Sequence, residues 1–169
     1  RIAETLETRR QQFVSTLGLQ GVSDAAAQKE VSAAVDMLVY YAGWCDKYQQ
    51  VFSCVNPVES SHFNFSFPEP TGVVSAIASQ QLGLLNLVSL MAPALAGGNS
   101  IIILAAEKFP LTAIDFAEVL NASDVPGGVV NILTGFSNEL HTHFSSHMDV
   151  NAIVYADNNS AALKTIQTN

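Results

Sequence analysis

Basic residues are scarce in this chain: seven lysines and arginines stand against fifteen aspartates and glutamates, a formal net charge of -8 over 169 residues. No basic stripe is available to neutralise a phosphate backbone, so nucleic acid is not expected as a partner. Cysteine is scarce too. Cys45 and Cys54 are too few and too unpatterned for a disulfide framework, and no apolar signal segment opens the sequence, so a cytoplasmic setting is expected. Starting at Arg1 rather than Met is expected of a fragment or a processed chain. Long apolar runs are missing. The longest, residues 82–96, is interrupted by Gly83, Asn86, Ser89 and Pro93 and falls short of the ~20 residues that span a bilayer, so no membrane helix is expected.

Several chemical phrases are absent as well. There is no Walker A lysine phrase, no Gly-x-Ser-x-Gly elbow and no HExxH. His141, His143 and His147 with Asp149 resemble a metal cluster on paper, and His143 and His147 share a helical face at i, i+4. His141 and His143 point apart, however, so a polar surface helix is expected and no metal site. The two cysteines lack a neighbouring basic cluster that would depress a thiol pKa and read as small buried hydrophobes.

What the sequence does hold is apolar: 49% of residues are hydrophobic and only 13% charged. That balance predicts a heavily buried α/β sheet together with some apolar surface that meets a partner. Residues 1–50 read as a helical lead-in. Ile2, Leu6, Phe13 and Leu17 fall at helical spacing, with Gly18 as a stop, and a second helix starts at Ser23 or Asp24 and ends near Gln50. Residues 51–71 are irregular, with Phe63, Phe65 and Phe67 alternating as in a strand with one apolar face. Residues 72–169 alternate strand and helix: strands at 72–78, 100–104, 129–133 and 151–156, helices at 83–96, 110–122, 137–146 and 159–167. Such alternation predicts βαβ units on a parallel sheet, all within a single domain.

The phrases Ala92-Pro-Ala-Leu-Ala-Gly-Gly-Asn-Ser100, Ala106-Glu-Lys-Phe-Pro-Leu-Thr-Ala113 and Val125-Pro-Gly-Gly-Val-Val-Asn-Ile-Leu-Thr-Gly-Phe136, with Tyr40-Tyr-Ala-Gly-Trp-Cys-Asp-Lys47 upstream, stand in a telling order. In that order and spacing the chain resembles the nucleotide-binding domain of the aldehyde dehydrogenase superfamily. The resemblance implies a Rossmann-like parallel sheet with helices on both faces, plus N-terminal helices and a small β arm. It also implies a catalytic domain, with its nucleophilic cysteine and general-base glutamate, beyond this chain's end. The arm at 51–71 is either an element that helps assemble subunits or a satellite strand covering its own core edge.

For the site, the resemblance assigns coenzyme contact to Ile77, Ala78 and Ser79 after the first strand, to Glu107 after the second and to Gly135 after the third. Gln81 takes the place of an asparagine whose amide serves the developing oxyanion; its extra methylene displaces that donor. Glu107 is either a ribose acceptor or an ordinary acid near a helix start. Leu104 stands for a ribose-gripping lysine, and Ser137 and His141 for glycines that let a helix approach the dinucleotide. Asp157-Asn158-Asn159 replaces the Gly-Ser-Thr turn that meets a pyrophosphate, and a carboxylate there repels phosphate.

Scaffold phrases kept beside altered ligand phrases imply an aldehyde dehydrogenase-like module that is non-catalytic on its own and serves assembly or partner docking. The alternative is a fragment of an active NAD(P)-dependent oxidoreductase. On the first reading no cofactor is expected; on the second it is NAD or NADP. The implied partners are a protein, the remaining aldehyde dehydrogenase domains, or further copies in a homo-oligomer.

Overall fold

The computed structural model describes residues 1–169. Three helices lead in: α1 (Ile2–Thr8), α2 (Arg10–Leu19) and α3 (Asp24–Ala42). The single helix expected over 2–17 is therefore broken at Arg9 (φ -96°, ψ 12°). Gly18 does not stop α2 either; Gly21 does, by taking a positive φ of 91° that a side chain resists. α3 ends eight residues before Gln50. Gly43 caps it, and the chain turns through Trp44 and Lys47 with backbone bonds to residues three back before a short α4 (Tyr48–Phe52).

Beyond α4 the chain leaves the core. β1 (Cys54–Val55) and β2 (Phe65–Ser66) pair antiparallel, Val55 opposite Phe65. Phe63, Phe65 and Phe67 are 73%, 54% and 52% exposed, their ring centroids 5.3 and 5.6 Å apart in sequence. Asn56 locks the hairpin by donating to Asn64 Oδ1 and Ser66 Oγ, each at 2.9 Å. This hairpin covers no core edge, so the satellite-strand reading falls. The cysteine expectation falls with it: Cys45 lies in the turn after α3 and Cys54 opens β1, and both are exposed.

The remaining chain alternates as expected: β3 (Val73–Ile77), α5 (Leu84–Ala96), β4 (Ser100–Leu104), α6 (Pro110–Ala122), β5 (Val130–Leu133), α7 (Ser137–Ser146), β6 (Ala152–Tyr155) and α8 (Ser160–Thr168). β-Branched residues such as Ile101, Ile102 and Ile103 suit the buried pleat, and Pro110 opens α6 where its missing N–H costs nothing. All pairings are parallel, in the spatial order β5-β4-β3-β6.

Two cores of unequal size hold the sheet. On one face Val74, Ala76, Ile101 and Ile103 pack with α1, α2, α3, α5 and α6 in a cluster of 24 buried residues. Ile77 and Leu104 turn to the opposite face, where Phe144 of α7 and Ile166 of α8 complete a cluster of four. No helix is long and apolar enough to cross a membrane.

Candidate functional site at the strand tips

Strand order reverses beside β3: the chain steps outward through β4 and β5, then returns to place β6 on the other side. In an open parallel sheet the crevice at such a reversal, beyond the strands' C-terminal ends, is where ligands bind. Register brings the tips level. Ile77 stands opposite both Leu104 and Tyr155, and Leu104 opposite Leu133.

A cleft of about 390 Å³ opens there, lined by residues that include Gln80, Glu107, Lys108, Ser137, His141 and Asp157. That volume lies within the range of small-molecule sites, roughly 300–1,000 Å³. Its walls are polar and of mixed charge. Ser137 N donates to Glu107 Oε1 at 2.8 Å, and Glu107 N donates to Gln80 Oε1 at 2.9 Å. Nδ1 of His141 meets the Ser137 carbonyl at 2.7 Å; a carbonyl only accepts, so the proton is assigned to Nδ1.

The α8 end of the cleft is closed from within. Asn159 Oδ1 accepts from Ala161 N at 3.0 Å and Ala162 N at 3.2 Å, capping the helix start. Asp157 Oδ1 is taken by Asn158 N at 2.9 Å. Burial pushes the neighbouring Tyr155 phenol above its usual range, and the Asp157 charge adds to the effect. The neutral phenol donates to the Asn159 carbonyl at 3.3 Å.

The positions singled out from sequence separate here into two groups. Glu107, Ser137, His141 and Asp157 meet in the cleft. Ile77 and Leu104 point into the small core, each 1% exposed, and Ala78 is equally buried, its amide bonded to the Leu104 carbonyl at 3.0 Å. Ser79 gives its carbonyl to Asn86 Nδ2 at 2.8 Å and its hydroxyl to Gln81 N at 3.3 Å. Gln81 itself is exposed outside the lining set. Gly135 lies over Leu140, whose Cδ1 would sit 3.1 Å from an added Cβ.

Sequence reasoning passed over Gln80, Lys108 and Glu30. The first two stand next to residues that were singled out; strand-tip neighbours face different ways, so adjacency alone could not say which enters the cleft. Glu30 reads in sequence as a wet helix face. It is instead 6% exposed, and Oε1 accepts from Leu84 N at 2.7 Å and Leu85 N at 3.1 Å, fixing the start of α5 directly behind the Ser79–Gly83 loop. That loop is also pinned by close approach: a Cβ on Gly83 would lie 3.0 Å from Phe109 and 3.2 Å from Leu17.

A family model described as "Aldehyde dehydrogenase family" matches residues 1–164. The chain belongs to the aldehyde dehydrogenase family. Proteins similar to this chain include omega-crystallin of Enteroctopus dofleini, 34% identical over 132 residues, 77% of this chain and 26% of that protein, and a putative aldehyde dehydrogenase, DhaS, of Bacillus subtilis, 32% identical over 139 residues, 82% and 28% respectively. An aldehyde dehydrogenase of Bacillus cereus, solved as its NAD+ complex, superposes with a TM-score of 0.91 at 28% identity, covering 99% of this chain and 34% of that one. The chain thus spans about a third or less of the length of these proteins. The Rossmann-like α/β architecture that the resemblance implies is the one this chain shares with the Bacillus cereus structure.

Proposed function

We propose that this chain is an aldehyde dehydrogenase-like module that holds no coenzyme by itself and serves assembly or partner docking. The observation that carries this reading is the lining of the strand-tip cleft. Asp157 sets negative charge where a phosphate-bearing ligand would lie. Ser137 and His141 fill space that close approach of a dinucleotide needs, and Leu104 is committed to the core. With those losses combined, most sources of dinucleotide affinity are gone. The docking half of the reading rests on the arm, whose three phenylalanines present an apolar comb to solvent. Its partner is a further copy or other aldehyde dehydrogenase domains.

A second reading, a portion of an active NAD(P)-dependent enzyme, is favoured by one specific feature. Glu107 and the cation Lys108 line a cleft within the size range of small-molecule sites at the strand-order reversal. Calorimetric titration with NAD and NADP separates the two. No heat at millimolar coenzyme, with a cooperative thermal transition retained, is the expected result; micromolar binding of either coenzyme transfers support to the enzyme reading.

A further inference from the structure

Four of the cleft's residues, Gln80, Glu107, Ser137 and His141, are bonded to one another in a line that crosses three elements. From the β3 tip, Gln80 Oε1 takes the Glu107 amide at 2.9 Å; from the β4 tip, Glu107 Oε1 takes the Ser137 amide that opens α7 at 2.8 Å. The Ser137 carbonyl then accepts from His141 one turn further on, at 2.7 Å. Gln80 is held in position to do this. Its loop is fastened by Asn86 to the Ser79 carbonyl, and the start of α5 is fastened by Glu30. Each bridging bond lies at the rim, with Glu107 exposed and Gln80 and Ser137 half-buried, so no packed core has to move for the line to open.

A carboxylate oxygen already bonded to a helix-start amide has to surrender that bond before it can turn toward a ligand's hydroxyls. The ligand then gains only the difference between the two interactions. The Gln80 bond adds to this by holding the Glu107 backbone, and hence the carboxylate, toward α7.

We infer that Gln80 and Glu107 form an internal latch that closes the strand-tip cleft by satisfying, from within the chain, the groups a nucleotide would engage. The inference rests on the reading that the unmodified cleft holds no coenzyme, and it names the contact responsible. Cutting the latch at Gln80 leaves Glu107 in place and frees its amide. Gln80→Ala therefore increases affinity for NAD by about three- to ten-fold, the equivalent of one net hydrogen bond.

The test is an NAD titration of the 15N-labelled chain and of its Gln80→Ala variant, followed through the amide signals of Glu107 and Ser137, which reports dissociation constants into the millimolar range. Amide hydrogen exchange supplies a second measurement: Gln80→Ala accelerates exchange at Glu107, and Glu107→Ala accelerates it at Ser137, each by about three-fold or more. Equal NAD affinity in the two chains overturns the latch, as does unchanged exchange at both amides. Micromolar binding by the unmodified chain overturns the coenzyme-free reading instead; the latch is then decided separately, by the ratio of the two dissociation constants.

Discussion

Ser75 sits at the centre of β3 with no solvent exposure, and its hydroxyl is the one buried side-chain oxygen in the molecule without a hydrogen-bond partner. Its sheet neighbours, Ile102 and Ile153, offer nothing to bond. An orphaned buried hydroxyl costs on the order of 1–3 kcal/mol. Ser75→Ala removes it with little change of volume, so we expect a gain of about 1 kcal/mol in urea unfolding at unchanged m-value. A loss of stability would mean that the hydroxyl has a partner after all. The same scale explains why the site was only partly legible in sequence. Glu107 and Asp157 follow strands and could be placed at the tips by chain order alone. Gln80 and Gln81 are the same residue type side by side, and only the path of the loop sends Gln80 toward Glu107 and leaves Gln81 in solvent.

α3 and α5 make the most extensive helix pairing in the molecule, and a buried carboxylate joins them. Glu30 projects from α3 onto the first amides of α5, where the helix dipole and two otherwise unpaired N–H groups favour negative charge. Glu30→Ala strips both bonds and leaves the Leu84 amide buried without an acceptor, so a loss of about 2–4 kcal/mol is expected in thermal or urea unfolding. Glu30→Gln keeps one acceptor and should recover a large part of that loss; equal losses in the two variants would show that packing, not the cap, holds α5. Nothing in the local sequence marks Glu30, because an acid on an amphipathic helix ordinarily faces water. The α8 cap is the contrasting case. Asn159 precedes a helical pattern directly, and its role follows from short-range rules.

Across the whole molecule, hydrophobic surface is divided unevenly. The large core under α1, α2, α3, α5 and α6 supplies most of the burial, and the small cluster of Ile77, Leu104, Phe144 and Ile166 holds α7 and α8 beside the cleft. Outside both stands the arm. Replacing Phe63, Phe65 and Phe67 together by Ser removes an exposed comb that the core does not use. The unfolding temperature is thus expected to stay within a few degrees, while self-association, or capture of other aldehyde dehydrogenase domains, falls in sedimentation velocity at matched concentration. An unchanged sedimentation profile would remove the arm from any role in assembly. By itself the sequence determined the alternation of strands and helices, the parallel sheet and the family, because periodicity and turn residues act over a few positions and each buried strand must be apolar on both sides. Which glycine ends α2 was settled only in the folded chain, where Gly21 and not Gly18 takes the positive φ, and Gly43 caps α3 well short of Gln50. Tertiary structure likewise decided that both cysteines are exposed, that Glu30 is buried, and that Gln80, Glu107 and Ser137 are bonded in a line. The last two depend on bonds between residues 27 to 55 positions apart, and no local rule reaches that far.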